Sequence, residues 1–266
     1  MKRSANPLIH RGGQSGRETA HRFFVSPNAL VGELIYFPQP LAHQVARVLR
    51  LTAGDLVTVL DNQGNAYRVE LQSVTPTQTS GLILSKIALA TEPSTQLTLY
   101  LPLTRREKFE WMLQKCTEVG ASAFVPLVSS RSLVQKSGQE MHRIERWQKI
   151  LQEAAEQSGR ARIPQLMPAC HLAEALETAH RENDLCLMAW EQEGQVTLRQ
   201  VLKGGDHYER VAVLIGPEGG FSKEEAGKAI QNGWRTVSLG ARILRMETAA
   251  VVATALVLYE LELGRD

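Results

Sequence analysis

The sequence predicts an α/β protein in two parts, a small β-barrel followed by a parallel sheet with helices on both faces. Three observations lead there. From Arg22 to Ala90 short β-like runs dominate, with a single helix among them. From Leu97 onward β-like runs alternate with helical stretches, which is the pattern of a parallel sheet built from βαβ units. Two of the later runs end in turns stripped of bulky side chains, Gly216-Pro217-Glu218-Gly219-Gly220 and Leu239-Gly240-Ala241. At such turns a main chain can approach a flat ligand closely.

In chain order, residues 1–20 are rich in Gly, Ser, Arg and Gln and read as a disordered polar extension. The β-rich part spans residues 21–90. Its runs are Arg22–Val25, Leu34–Phe37, Asp55–Leu60, Ala66–Val74 and Leu82–Ala88, with a helix over Pro40–Leu49 and a turn over Asp61–Asn65. Thr91-Glu92-Pro93-Ser94-Thr95 has the composition of a linker, which leaves residues 96–266 for the second part.

That part opens with a strand over Leu97–Leu101. A helix over Arg106–Val119 follows, with Phe109, Met112, Leu113 and Cys116 on one face. A strand over Phe124–Leu127, a helix over Met141–Gln157 and strands at Leu185–Ala189, Val211–Ile215 and Thr236–Leu239 come next. Ser222-Lys223-Glu224-Glu225 has the form of a capping box, and Gly233 stands where the helix it opens should stop. The last helix starts at Glu247-Thr248, runs through Leu261 and is apolar nearly all round, so it must be buried in a core or against a second subunit. It is too short for a membrane span, which needs roughly 20 apolar residues.

The turn chemistry narrows the ligand. A phosphate loop would carry Lys and Ser/Thr after its glycines; this one carries Glu218 instead, and no G-x-G-x-x-G occurs anywhere in the chain. An acidic, glycine-rich turn suits a ligand without phosphates that bears positive charge. Arg242 and Arg245 precede the last helix. They either line the mouth of the pocket and hold an anionic substrate, or are solvated or pair with Glu218 and Glu247.

Composition excludes several classes. At 43% hydrophobic and 22% charged the chain is ordinary globular protein. Its N-terminus has no apolar segment behind its basic residues, so no secretion signal is read. Cys116, Cys170 and Cys186 share no metal-like spacing and fit a reducing cytoplasm as buried apolar residues. The histidines form no ligand pair, and no metal is expected. The net charge of +2 conceals an asymmetry: residues 1–50 hold seven Lys/Arg against Glu18 and Glu33, a net of +5, while the remainder carries 23 basic and 26 acidic side chains, a net of −3. A basic N-terminal region on a near-neutral body is the footprint of a nucleic-acid-binding module. A loose tail accounts for Lys2 to Arg17 but not for Arg22, Arg47 and Arg50, which sit in patterned segments.

The quoted residues carry a resemblance. Glu153 through Arg160 with Ile163-Pro164, Leu214 through Phe221, Leu239 through Ala249, Arg22-Phe23-Phe24 and Arg47-Val48-Leu49-Arg50 occur in the order and spacing of one family. The chain resembles the SPOUT class of S-adenosylmethionine-dependent RNA methyltransferases. It is most similar to the bacterial RsmE family, which methylates N3 of a uridine in 16S rRNA of the small ribosomal subunit. The resemblance covers residue 21 to the end; the polar extension before Arg22 departs from it. It implies a SPOUT-type knotted parallel sheet with the cofactor in the knot, an N-terminal PUA-like RNA-binding β-barrel, and a cytoplasmic homodimer joined through the knot and the C-terminal helix.

Carried onto this chain, the resemblance implies that S-adenosylmethionine binds at Ala189, Glu191, Ile215, Gly216, Pro217, Gly219, Gly220, Leu239, Gly240, Leu244, Met246 and Thr248. It implies that rRNA meets Arg22, Arg47, Arg50, Arg160 and Arg162, although Arg160 and Arg162 also suit a helix C-terminus that favours positive charge. Uridine N3 must lose its proton before its lone pair can attack, and Arg242 or Arg245 would stabilise the resulting negative charge. Glu156, Glu191, Glu218 and Glu247 are unranked candidates for the base. Two other readings stay open: a related enzyme acting on a ribose 2′-hydroxyl or guanine N1, and an RNA-binding assembly factor without catalysis.

Overall fold

The computed structural model describes residues 17–128, 141–203 and 208–262, without the side chains of Met141 and His142. The chain divides into two compact units between Leu89 and Ala90.

The first unit contains β1 (Glu18–Phe24), β2 (Leu30–Val31), β3 (Leu34–Phe37), α1 (Gln39–His43), β4 (Leu56–Leu60), β5 (Ala66–Val74) and β6 (Thr79–Ile87). Its six strands run in the order β1-β4-β5-β6-β3-β2, with β1 parallel to β4 and the other pairs antiparallel. Period-two alternation points Phe23, Ile35, Phe37, Val57, Val59, Val69 and Leu71 into one core, where Ala42 and Val45 from the helical segment close it. The expected helix over Pro40–Leu49 is α1 followed by a π-helical turn over Gln44–Val48, ended by Arg50 in the left-handed region at φ 53°. Between β4 and β5, Asp61 Oδ1 accepts the N–H groups of Gln63 and Asn65 at 2.8 and 3.0 Å and fixes the turn.

One expectation fails here. Residues 18–20 are not part of a disordered extension, because β1 starts at Glu18 and pairs with Leu56, whose N–H also donates to the Arg17 carbonyl at 2.9 Å. The side chains of this stretch are polar, but its backbone finds a strand 38 residues away in sequence at Glu18 and Leu56, and composition does not register such pairing. Residues 1–16 of the expected extension lie outside the described residues.

The second unit contains β7 (Gln96–Pro102), α2 (Arg106–Val119), β8 (Ala123–Val128), α3 (Met141–Ser158), β9 (Gln165–Leu166), β10 (Cys170–His171), α4 (Leu172–Thr178), β11 (Leu185–Ala189), α5 (Leu198–Leu202), β12 (Arg210–Leu214), α6 (Lys223–Gln231), β13 (Arg235–Val237) and α7 (Met246–Glu262). The strands form one parallel sheet in the order β10-β8-β7-β12-β11-β13, with β9 beside β8.

Alternation along these strands sorts the helices onto two faces. Leu97, Leu99, Leu101, Leu185, Leu187, Val211 and Val213 pack with α2, α3, α5 and α7. Tyr100, Val125, Leu127, Cys186, Met188, Ala212 and Leu214 pack with α4, α6 and Trp234. A sheet covered on both faces is continuously apolar along its central strands. The capping box at the start of α6 is complete, with Ser222 Oγ accepting the Glu225 N–H at 3.1 Å and Glu225 accepting the Ser222 N–H at 2.8 Å.

The segment 91–95 belongs to this unit and does not behave as a free linker. Thr95 is fully buried and donates to the Tyr208 carbonyl at 3.2 Å. Glu92 receives the buried Arg160 guanidinium at 2.6 Å. The last helix is also less enclosed than its composition predicts: Ala250, Ala253, Thr254, Val257, Leu258 and Leu261 enter the core, whereas Leu256 and Tyr259 on the opposite side are exposed, Tyr259 to 63%. Among the described residues no helix is long and apolar enough to cross a membrane.

Candidate active site

Three strand ends meet at one place. β12 runs into Ile215 and Gly216, β11 into Trp190 and Glu191, and β13 into Ser238, Leu239 and Gly240. All three strands are neighbours and parallel, so their carboxyl ends open on the same edge of the sheet. The pocket there has a volume of about 400 Å³.

Local chemistry shapes each wall. In the first turn the Gly220 N–H donates to the Pro217 carbonyl at 2.9 Å, and Gly220 takes a left-handed φ of 64°. A Cβ built on Gly220 would stand 2.7 Å from Glu191 Oε1, the movable end of an exposed side chain, so it is the left-handed backbone rather than the space that favours glycine here. Trp190 ties the turn to the end of β11, its indole N–H donating to the Phe221 carbonyl at 3.2 Å. In the second turn Gly240 has φ 126°, and its N–H donates to Ser238 Oγ at 3.2 Å.

Nine of the twelve residues expected to hold the cofactor line this pocket: Ala189, Glu191, Gly216, Pro217, Gly220, Leu239, Gly240, Leu244 and Met246. Three do not. Ile215 is fully buried in the core beneath the turn, where its N–H donates to the Tyr100 carbonyl at 3.1 Å. Gly219 stands outside the lining, and Thr248 is an exposed residue of α7.

Arg242 and Arg245 both line the pocket, are exposed, and have no ion-pair partner among the described residues. The alternative in which they pair with Glu218 and Glu247 is wrong, because those carboxylates face a different cation. Lys108 Nζ, from the first turn of α2, lies 3.6 Å from Glu218 Oε1 and 3.7 Å from Glu247 Oε2. Thr104 Oγ1 donates a short hydrogen bond to Glu218 Oε1. Burial pushes the Glu218 carboxyl up, but the Thr104 hydroxyl, its own backbone N–H and Lys108 together hold it below the ordinary carboxylate range.

Lys108, Thr104 and Trp190 carry no motif in the sequence. Lys108 sits more than a hundred residues from the carboxylates it pairs with, on a helix face that reads as plain solvated charge. Only the sheet order, which places β7 beside β12, brings α2 to the pocket.

The arginines expected at RNA divide. Arg22, Arg47 and Arg50 are exposed on the first unit. Arg162 is exposed on the second, with its backbone N–H donating to Glu92 at 3.2 Å. Arg160 is only 4% exposed and is no phosphate ligand. Its guanidinium donates to the carbonyls of Ala121 at 2.6 Å and Thr117 at 3.1 Å and to Glu92 at 2.6 Å, so it fastens the end of α2 to the start of the unit. Of the four carboxylates considered as the base, Glu156 is on α3 away from the pocket, accepting from Gln152 at 2.9 Å, and the other three line it. Among the described residues no cluster of three metal-ligating side chains occurs.

The pocket lining thus combines the carboxylates Glu191 and Glu218 with two guanidiniums, Arg242 and Arg245. The first suits a cation and the second an anion, so the arrangement fits a small cationic ligand met by a polyanionic partner.

Comparison with known proteins agrees with this chemistry. The family model for the RNA methyltransferase domain matches residues 91–258. Ribosomal RNA small subunit methyltransferase E of Synechocystis is 33% identical over 89% of this chain and 76% of its own. The enzyme of the same name from Bacillus subtilis is 32% identical over 84% of this chain and 89% of its own. The crystal structure of ribosomal RNA small subunit methyltransferase E from Neisseria gonorrhoeae, bound to S-adenosyl methionine, superposes with a TM-score of 0.80 at 30% identity, covering 89% of this chain and 95% of that one. The chain therefore belongs to the family of ribosomal RNA small subunit methyltransferase E.

Proposed function

We propose that this protein transfers a methyl group from S-adenosylmethionine to N3 of a uridine in the 16S rRNA of the small ribosomal subunit. The observation that carries the reading is the pocket at the carboxyl ends of β11, β12 and β13, lined by carboxylates and by two guanidiniums that have no ion-pair partner among the described residues.

The residues present fit the cofactor. The small residues at Gly216 and Gly240 expose main-chain donors and acceptors to an adenine edge, and Leu239, Leu244 and Met246 supply apolar walls for a ring. Bound there, S-adenosylmethionine supplies a methyl group already activated on a sulfonium. What remains for the protein is to hold the two reactants in line and to favour the ionised form of N3. Arg242 and Arg245 are placed to offset the negative charge that develops on the uracil. Glu191 and Glu218 favour the cofactor's positive groups.

In this reading the chain from Ser238 to α7 forms the knot of a SPOUT fold, and the first unit is a PUA-like barrel that binds RNA through Arg22, Arg47 and Arg50. The protein works as a homodimer in the cytoplasm. The exposed apolar stripe of α7, with Leu256 and Tyr259, together with Ile243 at 84% exposure beside the pocket, supports pairing of two copies through this side.

The test is methyl transfer to small subunits from cells that lack the activity, with nucleosides identified by mass spectrometry. 3-Methyluridine is the expected product. A different methylated nucleoside overturns the target, and no methylation together with cofactor binding favours an assembly factor.

A further inference from the structure

The structure ranks the carboxylates that the sequence leaves unranked. Lys108 stands between Glu218 and Glu247, one ammonium between two carboxylates. The two acids are not equivalent. Glu218 also accepts from Thr104 and is held in its ionised form. Glu247 has no comparable support: its Oε2 is buried, 3.7 Å from Lys108, and makes no hydrogen bond among the described residues. The three charges sum to one negative charge, and a single proton on Glu247 brings the group to neutrality. Thr104 already occupies Glu218, so Glu247 is the carboxylate of this pair left to accept from a ligand.

We infer that Glu247 is the base that takes the N3 proton of the target uridine, and that Lys108 is the positioning residue that holds it in place. The inference rests on the methyl-transfer reading above. The balance is simple. The N3–H bond breaks and its proton passes to the Glu247 carboxylate on its part-open side; the electron pair left on N3 forms the new bond to the methyl carbon; the methyl–sulfur bond breaks and its pair stays on sulfur, leaving a neutral thioether. Glu247 then releases the proton to solvent through its partly open face.

Glu191 is a poorer candidate because it is exposed at the rim against the Gly220 turn. Glu156 lies away from the pocket.

The experiment uses full-length protein and small subunits, with three readouts for Glu247→Gln: S-adenosylmethionine affinity by calorimetry, single-turnover rate of 3-methyluridine formation, and the pH dependence of that rate. The amide keeps the shape but cannot accept the proton. Affinity for S-adenosylmethionine is expected to stay near that of the parent while the rate falls by about 10²–10⁴-fold. The variant's rate should rise in proportion to hydroxide, because only already-ionised uridine reacts, whereas the parent's rate should depend on hydroxide less steeply. Glu247→Asp keeps the charge but draws the carboxylate back by one methylene; it should be slower than the parent with the parent's pH profile.

Loss of S-adenosylmethionine binding in Glu247→Gln overturns the inference and makes this carboxylate a cofactor ligand. An unchanged rate, or a Glu247→Asp rate that rises in proportion to hydroxide, also overturns it. Failure of the underlying reading looks different: the unsubstituted protein itself would form no 3-methyluridine.

Discussion

Arg160→Met is expected to lower the thermal stability of the second unit while leaving the salt dependence of RNA binding unchanged. The Arg160 guanidinium makes bonds to two carbonyls and to Glu92, all inside the second unit. Arg160→Met preserves much of the stem but leaves Glu92 and the carbonyls of Thr117 and Ala121 without their donor. Removing one partner of a buried pair costs about 3–5 kcal/mol. The Glu92 side chain is 23% exposed, so water takes back part of the penalty and about 3 kcal/mol is the better figure. For a unit of this size each kcal/mol moves the midpoint of thermal unfolding by about 2–4 °C, which predicts a fall of roughly 6–12 °C. Differential scanning calorimetry measures it. The companion measurement is RNA affinity across a salt series, and its slope should not change, since the buried guanidinium touches no phosphate. A variant that unfolds at the parent's temperature while its salt slope flattens would refute the assignment and return Arg160 to the RNA.

Three further expectations follow from the same geometry. Gly220→Ala should cost about 1–2 kcal/mol from the left-handed backbone alone, and the β-branched Gly220→Val more, with weakened S-adenosylmethionine binding by calorimetry and RNA binding retained; unaltered cofactor affinity would sink the pocket assignment. Replacing Arg22, Arg47 and Arg50 together by Ala should reduce the slope of log affinity against log salt by about two to three, and an unaltered slope would place the RNA surface elsewhere. Glu218 is held below the ordinary carboxylate range in the fold, so its contribution to stability is present above the unfolded carboxyl's pKa and disappears as the pH falls through the lower folded value. Thr104→Val removes one of the groups that depress it, so the Glu218 carboxyl should titrate at higher pH in the variant, readable by carbon NMR; no shift would show that the Thr104 contact is not made in solution.

Much of the fold is legible from local pattern. The runs Leu34–Phe37, Ala66–Val74 and Leu185–Ala189 and the helix Arg106–Val119 stand in the structure with the boundaries that periodicity predicts. The capping box at Ser222 and the stop at Gly233 mark α6 from sequence alone, because these signals act within one turn of chain. The elements that escape notice are short: β9, β10, α4 and α5 hold two to seven residues each and are stabilised by what they pack against. Their apolar residues are too few to establish a period.

The site follows the same division. The glycine turns at 216–220 and 239–241 announce close backbone approach, since the absence of a Cβ is written in the sequence itself. Which charge meets which is not written there. Arg160 and Arg242 look alike as letters, yet one is walled in by Glu92 and two carbonyls and the other stands open at the pocket mouth. Lys108 looks like surface charge until β7 lies beside β12 and carries α2 to the acids. Local residue order is therefore enough for the elements, the two-part organisation and the small-residue turns, because those depend on neighbours along the chain. The pairing of Lys108 with Glu218 and Glu247, the burial of Arg160 and the docking of residues 91–95 were decided only by tertiary structure, because ion pairing and desolvation depend on distances that chain order does not encode.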